Sequence, residues 1–169
     1  MPAKRPRTYV QLFRDLGVNL GYIEVLAEAA KDVRRSTLGE GSIDMGTASE
    51  TAINALTVLD RMVPTFLLVK LSTFLEEFID KLWQRRFPSI KPRSVRAGDK
   101  LIVLAEVLAF NPDVLQQLRK LRNECAHNID NEATWEDFEK HLKEVKTLIK
   151  TLQSKYRVKR LLRTLVSRA

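Results

Sequence analysis

The 169-residue chain predicts an all-α protein, a bundle of about five or six helices forming one domain over residues 1–169. Three observations carry this expectation. Six glycines and six prolines leave too few breaks for the many turns of a β fold. Leu, Ala, Glu, Lys and Arg dominate, and all are good helix formers. Apolar residues recur at three- and four-residue steps, the period of a helix with a buried stripe. The chain is also long enough to bury a core without disulfides, and 44% hydrophobic with 30% charged residues is a globular composition.

The first helix is expected from about Tyr9 to Val33, its stripe being Leu12, Leu16, Leu20, Ile23 and Ala27. "TLGEGSIDMGTAS", with three glycines among small polar residues, reads as a loop. A second helix starts near Ser49 or Glu50, and Pro64 marks a kink or a fresh start. "TFLLVKLSTFLEEFIDKLWQRRF" is the strongest helix, with Leu67, Leu71, Phe74, Phe78 and Leu82 on one stripe and Leu68, Leu75 and Ile79 beside it. A stripe this wide should face a core on more than one side. Phe87-Pro88 ends it. "KLIVLAEVLAF" could be a buried helix or a strand by periodicity, and its Ala, Leu and Glu favour helix. Asn111 caps the next helix, with Pro112 in its first turn and Val114, Leu118, Leu121 and Cys125 on its packed stripe. Thr134 and Asp137 form a capping-box start for the last one, which carries Trp135, Phe138, Leu142, Val145 and Leu148. Residues 153–169 form a basic amphipathic end, with Val158, Leu161, Leu162 and Leu165 on its apolar face.

A single cysteine excludes an internal disulfide, and two histidines are too few for a histidine-rich metal site, so neither metal nor cofactor is expected. No stretch approaches eighteen uninterrupted apolar residues, and positive charge at the start has no apolar run behind it. A cytoplasmic location, with no membrane partner, is the expectation. The net charge of +8 is uneven. Lys4, Arg5 and Arg7 open the chain. Arg85, Arg86, Lys91, Arg93, Arg96 and Lys100 oppose Asp99 alone in the middle. Lys155, Arg157, Lys159, Arg160, Arg163 and Arg168 close it without an acid. Three basic islands on a slightly acidic body fit an anionic partner such as RNA, DNA or a lipid surface, or else solvated helix faces. Arg85, Arg86, Lys91, Arg93, Arg96, Arg157, Arg160 and Arg163 are the weaker candidates for RNA contact.

"LRKLRNECAHN" holds the stronger candidates, Arg122, Asn123 and His127. Asn123 and His127, four apart, project from one helix face, with Arg122 about 100° away at the edge of the packed stripe. Histidine trades protons near neutrality. Arginine grips a phosphate with two charge-assisted hydrogen bonds, and asparagine can orient the imidazole or bind a phosphate oxygen. With RNA, such a set can activate the 2′-hydroxyl against the adjacent phosphorus without a metal. Spacing alone favours the plainer arrangement, in which Arg122 pairs with an acid such as Glu124 or Asp130 and His127 ends the helix.

"LRNECAH" resembles the signature of the HEPN superfamily, small all-α domains with an Arg, often followed by Asn, and a His four to six residues on. "LVKLSTFLEEFIDKLW" resembles the long apolar helix before that motif, so the resemblance covers roughly residues 65–130. It implies a metal-independent endoribonuclease, in many members a toxin or phage-defence effector. It further implies a homodimer that brings two Arg–His pairs to one cleft, and in some members a protein antitoxin or other regulator. Arg122 would then hold phosphate, His127 transfer protons and Asn123 orient or polarise. Not every member cleaves RNA, so a non-catalytic RNA-binding or regulatory module is the alternative. One branch, silenced by a nucleotidyltransferase, carries a Tyr two residues after the His; Ile129 stands there, so that modification is not expected.

Other residues read as structural. Cys125 falls on the packed stripe, where burial raises a thiol's pKa. Trp83 and Trp135 seal the core, and His141 is expected in solvent. Glu76 or Asp80 could reach the motif from across the bundle.

Overall fold

The structure, a computed structural model, describes residues 8–38, 50–127 and 132–166, and at 38, 50–52, 127 and 157–166 it describes the backbone only. Lys4, Arg5, Arg7, Ile129, Asp130 and most of the glycine-containing loop therefore lie outside the described residues. Six α-helices account for nearly all the rest: α1 Tyr9–Leu38, α2 Glu50–Thr57, α3 Val63–Arg86, α4 Ala97–Leu108, α5 Asp113–His127 and α6 Trp135–Val166. The all-α expectation holds, and no described helix is long and apolar enough to cross a membrane. Helix α1 runs five residues beyond the expected Val33.

Helix α2 continues through a π-helical turn, Val58–Met62, directly into α3. Pro64 explains the change of register. Its nitrogen cannot donate to a carbonyl one turn back, and its ring crowds that carbonyl. The chain takes up the misfit as a wider turn, in which the Val63 amide donates to the carbonyl of Val58. Proline thus marks a fresh start without breaking the rod.

Helix α3 is the centre of the bundle. Leu67, Leu68, Leu71, Leu75, Phe78, Ile79, Leu82 and Trp83 are all buried, more than one neighbour could cover. Helix α1 packs along one side, Phe13 against Phe78 at 5.3 Å between ring centroids. Helices α5, α6 and α4 cover the others. The stripe read from α1 is buried at every position, and Phe138, Leu142 and Val145 on α6 are joined by Ile149 and Leu152. Both tryptophans seal the core and satisfy their indole N–H groups: Trp83 donates to the Ile90 carbonyl at 3.2 Å and Trp135 to that of Leu59 at 3.1 Å.

His141 corrects an expectation. It is buried, and its Nδ1 lies 3.1 Å from Glu144 Oε2, one turn along α6. Its charged sequence neighbours concealed an imidazole on the inner side of the helix, at the i+3 spacing that lets Glu144 satisfy it.

Local chemistry fixes the helix ends. The Thr134 amide and hydroxyl both donate to Asp137 Oδ2, at 3.0 and 2.7 Å, and the Asp137 amide donates back to Thr134 Oγ1 at 3.1 Å. These bonds, the Thr134 amide first, hold the Asp137 carboxyl below its usual pKa. Asn111 Oδ1 accepts the Asp113 amide at 2.9 Å and starts α5. Helix α4 ends on Ala109 in the left-handed conformation, φ 54°, where a Cβ is strained.

Thr134→Ala should lower stability by about 1 kcal/mol at neutral pH, read by chemical denaturation. Since the Asp137 carboxyl is depressed in the fold, its contribution is present above the unfolded carboxylate range and fades as pH falls through the folded value. The stability gap between wild type and Asp137→Asn should accordingly close on acidification. Ala109→Gly should raise stability by about 1 kcal/mol by relieving the positive φ.

Candidate functional site

Helix α5 does two jobs with one sequence. Leu115 and Leu118 are buried, and Val114, Leu121 and Cys125 pack against the same core, which sets the rotation of the helix. Its backbone stays helical through His127. Asn123 and His127 are therefore one turn apart on one face, as their spacing predicts; the His127 side chain lies outside the described residues.

Arg122 sits at the edge of the packed stripe, half-buried. Its Nη1 donates to Asn123 Oδ1 at 3.0 Å, which draws the guanidinium towards the Asn123–His127 face. Its Nε is shut off from solvent and has no hydrogen-bond partner among the described residues. Among the described residues no carboxylate pairs with Arg122: Glu124 is taken by Lys120, 3.8 Å away, and Asp130 is outside the described residues. A guanidinium held by a neutral amide keeps its charge available to an anion.

Neither Glu76 nor Asp80 of α3 pairs with Arg122. Glu76 meets α5 one turn earlier, at Arg119, with Nε to Oε1 3.4 Å. Asp80 pairs instead with the buried Lys100 at the start of α4. These two pairs rim a cavity of about 100 Å³ between α3, α4 and α5 that is walled mainly by apolar side chains. Cys125 has its thiol pushed up, first by burial and then by the charges of Glu124 and Asp137, so it is poorly suited to nucleophilic attack.

The weaker candidates lie elsewhere. Arg85 and Arg86 close α3, Lys91 and Arg93 flank Pro92, and Arg96 precedes α4. Arg85 stands over the Tyr9 ring, 5.7 Å from its centroid, and Tyr9 stacks on Tyr156 at 4.4 Å. The middle basic island therefore meets the start of the C-terminal one at a single end of the bundle. The side chains of Arg157, Arg160 and Arg163 are outside the described residues. The motif points to the other end, where the Ala133 amide donates to Thr65 Oγ1 at the start of α3. From the level of Arg122 to the end of α3 is about 20 Å along the axis at 1.5 Å per residue.

A groove lies between the α4–α5 turn, with the start of α5, and α6. It has a volume of about 670 Å³, and its lining includes the apolar Phe110, Val114 and Leu148 and three lysines, Lys140, Lys143 and Lys155. Lys155 also donates to the Ala109 carbonyl that closes α4. Lys140 and Lys143 were not among the candidates read from sequence; their signal, two lysines at i,i+3 on α6, is common on any solvated helix. No group of histidine, cysteine and carboxylate able to hold a metal occurs among the described residues.

Compared with protein-family models, curated proteins and solved structures, the chain finds no match in any of the three.

The raised thiol of Cys125 gives a test of the packing of this helix. Its alkylation at neutral pH should be slower than that of a free cysteine and speed up on denaturation, followed by mass spectrometry.

Proposed function

We propose that this protein is a metal-independent endoribonuclease of HEPN type, in which Arg122 binds the scissile phosphate, His127 transfers protons and Asn123 orients them. The observation that carries this reading is the Arg122–Asn123 bond. It holds a guanidinium with no carboxylate partner among the described residues on the face that Asn123 shares with His127. In a structural reading an arginine at the edge of a core is neutralised, as Arg119 is by Glu76. Arg122 is not.

The chemistry follows from these groups. Neutral His127 takes the proton of the ribose 2′-hydroxyl, whose oxygen attacks the adjacent phosphorus to close a 2′,3′-cyclic phosphate. The bond from phosphorus to the 5′-oxygen breaks, and that oxygen takes its proton from an imidazolium, that of His127 or of its counterpart in the second copy. The guanidinium meets charge building on the phosphoryl oxygens. The donor left open on Arg122 is consistent with this, since a buried unsatisfied donor costs about 1–3 kcal/mol. A second copy placing its own motif across the cleft would supply a second Arg–His pair. Phosphate contacts to the groove lysines and to the basic end of the bundle would add affinity without sequence preference. A toxin or defence role, and a protein that restrains it, would fit such an activity.

The second reading is a non-catalytic RNA-binding or regulatory module, favoured by the distance between the motif and the basic islands. Purified protein should cleave RNA in EDTA. His127→Ala and Arg122→Ala should each lower the rate by about 10²- to 10⁴-fold with unchanged helical content. Wild type and variants equally inert, with RNA binding that weakens steeply as salt rises, would establish the second reading.

A further inference from the structure

The cavity of about 100 Å³ between α3, α4 and α5 has walls that include Leu75, Ile79, Leu101, Leu115 and Leu118. Its polar lining is four charged groups and one hydroxyl. The charges are already matched, Asp80 with the buried Lys100 and Glu76 with Arg119. Glu76, Asp80 and Arg119 are 33%, 43% and 31% exposed, so the cavity meets solvent on their side.

The hydroxyl is that of Ser72, which is 1% exposed and has no hydrogen-bond partner among the described residues. A hydroxyl on a helix can bond back to the carbonyl one turn earlier. Thr65, Thr73, Thr147 and Thr151 all do so, at 2.9–3.0 Å. Ser72 does not, although it adjoins Thr73 on the same helix. Burying a hydroxyl without a partner lowers stability, and a ligand that bonds to it would recover that loss.

We propose that this cavity takes a pyrimidine base of RNA, turned out of the strand beside the phosphate at Arg122; the RNA partner rests on the ribonuclease reading. Charge, volume and lining select the base. The ion pairs are balanced, so a further buried charge would go unpaired and a neutral ligand is favoured. A cavity of about 150 Å³ holds benzene. The 100 Å³ here therefore suits one ring whose sugar stays on the solvent side, and it is too small for the two rings of a purine. The lining suits a flat ring with apolar faces and a polar edge, leucines against the faces and Ser72 against the group at C4. A serine hydroxyl can donate to O4 of uracil or accept from the amino group of cytosine. Single-stranded RNA offers such bases, splayed out of the stack. Position agrees: Arg119, in the lining, stands one turn before Arg122 on α5, about 4.5 Å along the axis. A base in the cavity and a phosphate at Arg122 are then within one nucleotide of each other.

Uncleavable 2′-O-methyl oligonucleotides give the test, with binding to the full chain read by fluorescence anisotropy. One strand is all adenine; the others carry a single uridine or a single cytidine. Wild type should bind either pyrimidine strand about tenfold tighter than the all-adenine strand. Ala97→Phe, which puts a ring into the cavity from its half-buried wall, should abolish the preference without weakening the all-adenine strand. Ser72→Ala should reduce the preference by about fivefold. It should keep the wild-type circular dichroism and a Tm no lower than that of wild type, since the lost hydroxyl had no partner. Equal affinity of wild type for all the strands would overturn the proposal, whether or not the protein cuts RNA. So would a preference that survives Ala97→Phe, which would place base recognition elsewhere. A preference that goes with the cavity, in a protein that cuts no RNA in EDTA, would uphold the site and overturn only the ribonuclease reading.

Discussion

Helix α3 carries more apolar surface than one partner can cover, and the arrangement of the bundle follows from that excess. Its buried residues, from Pro64 to Trp83, face several directions. Leaving any of them in water would forfeit about 1.5–3 kcal/mol per large side chain. Helices α1, α4, α5 and α6 therefore gather around it, and their polar contacts fix register along its length. Glu76 sets the level of α5 through Arg119, Asp80 that of α4 through Lys100, and Thr65 that of the approach to α6 through the Ala133 amide. Outside helices meet one another in the same way, as where Lys31 of α1 pairs with Glu139 of α6 at 2.5 Å.

The candidate site inherits its position from this packing. Leu115 and Leu118 turn α5 until its apolar side is against α3, and that rotation leaves Arg122 at the seam and Asn123 outside it. Arginine suits a seam, since its stem can lie on packed surface while its fork stays available. The acids nearest along α3 are committed to Arg119 and Lys100, and among the described residues no carboxylate pairs with Arg122. Catalysis by this motif would need little movement of the fold, because Arg122 and Asn123 are already joined at 3.0 Å.

Charge is distributed differently from apolar surface. The basic residues around 85–96 gather at the end of the bundle where Tyr9, Tyr156 and Arg85 meet, far from the motif. Cations repel, and burying one is expensive unless it is paired, as Lys100 is by Asp80. Connectors and helix ends are where unpaired charge can stay in water. Lys140, Lys143 and Lys155 share a groove between the start of α5 and α6.

The amino-acid sequence by itself determined the local structure. The stripe of α1, the wide face of α3, the Asn111 cap and the Thr134–Asp137 box depend on residues within a turn or two of one another, and all were legible from spacing. The arginine and asparagine of the motif were legible for the same reason, being adjacent on one helix. Tertiary structure alone decided the rest, because it depends on which surfaces distant segments present to each other. Only packing showed that His141 is inside and met by Glu144, that Glu76 serves Arg119 rather than Arg122, and that Lys140 and Lys143 share a groove with Lys155. Only packing, too, showed that one apolar side of α1 is spent on the core while the other remains in solvent. A residue's type and spacing fix which face of its helix it occupies. What that face meets is settled by the competition among all the helices to cover α3.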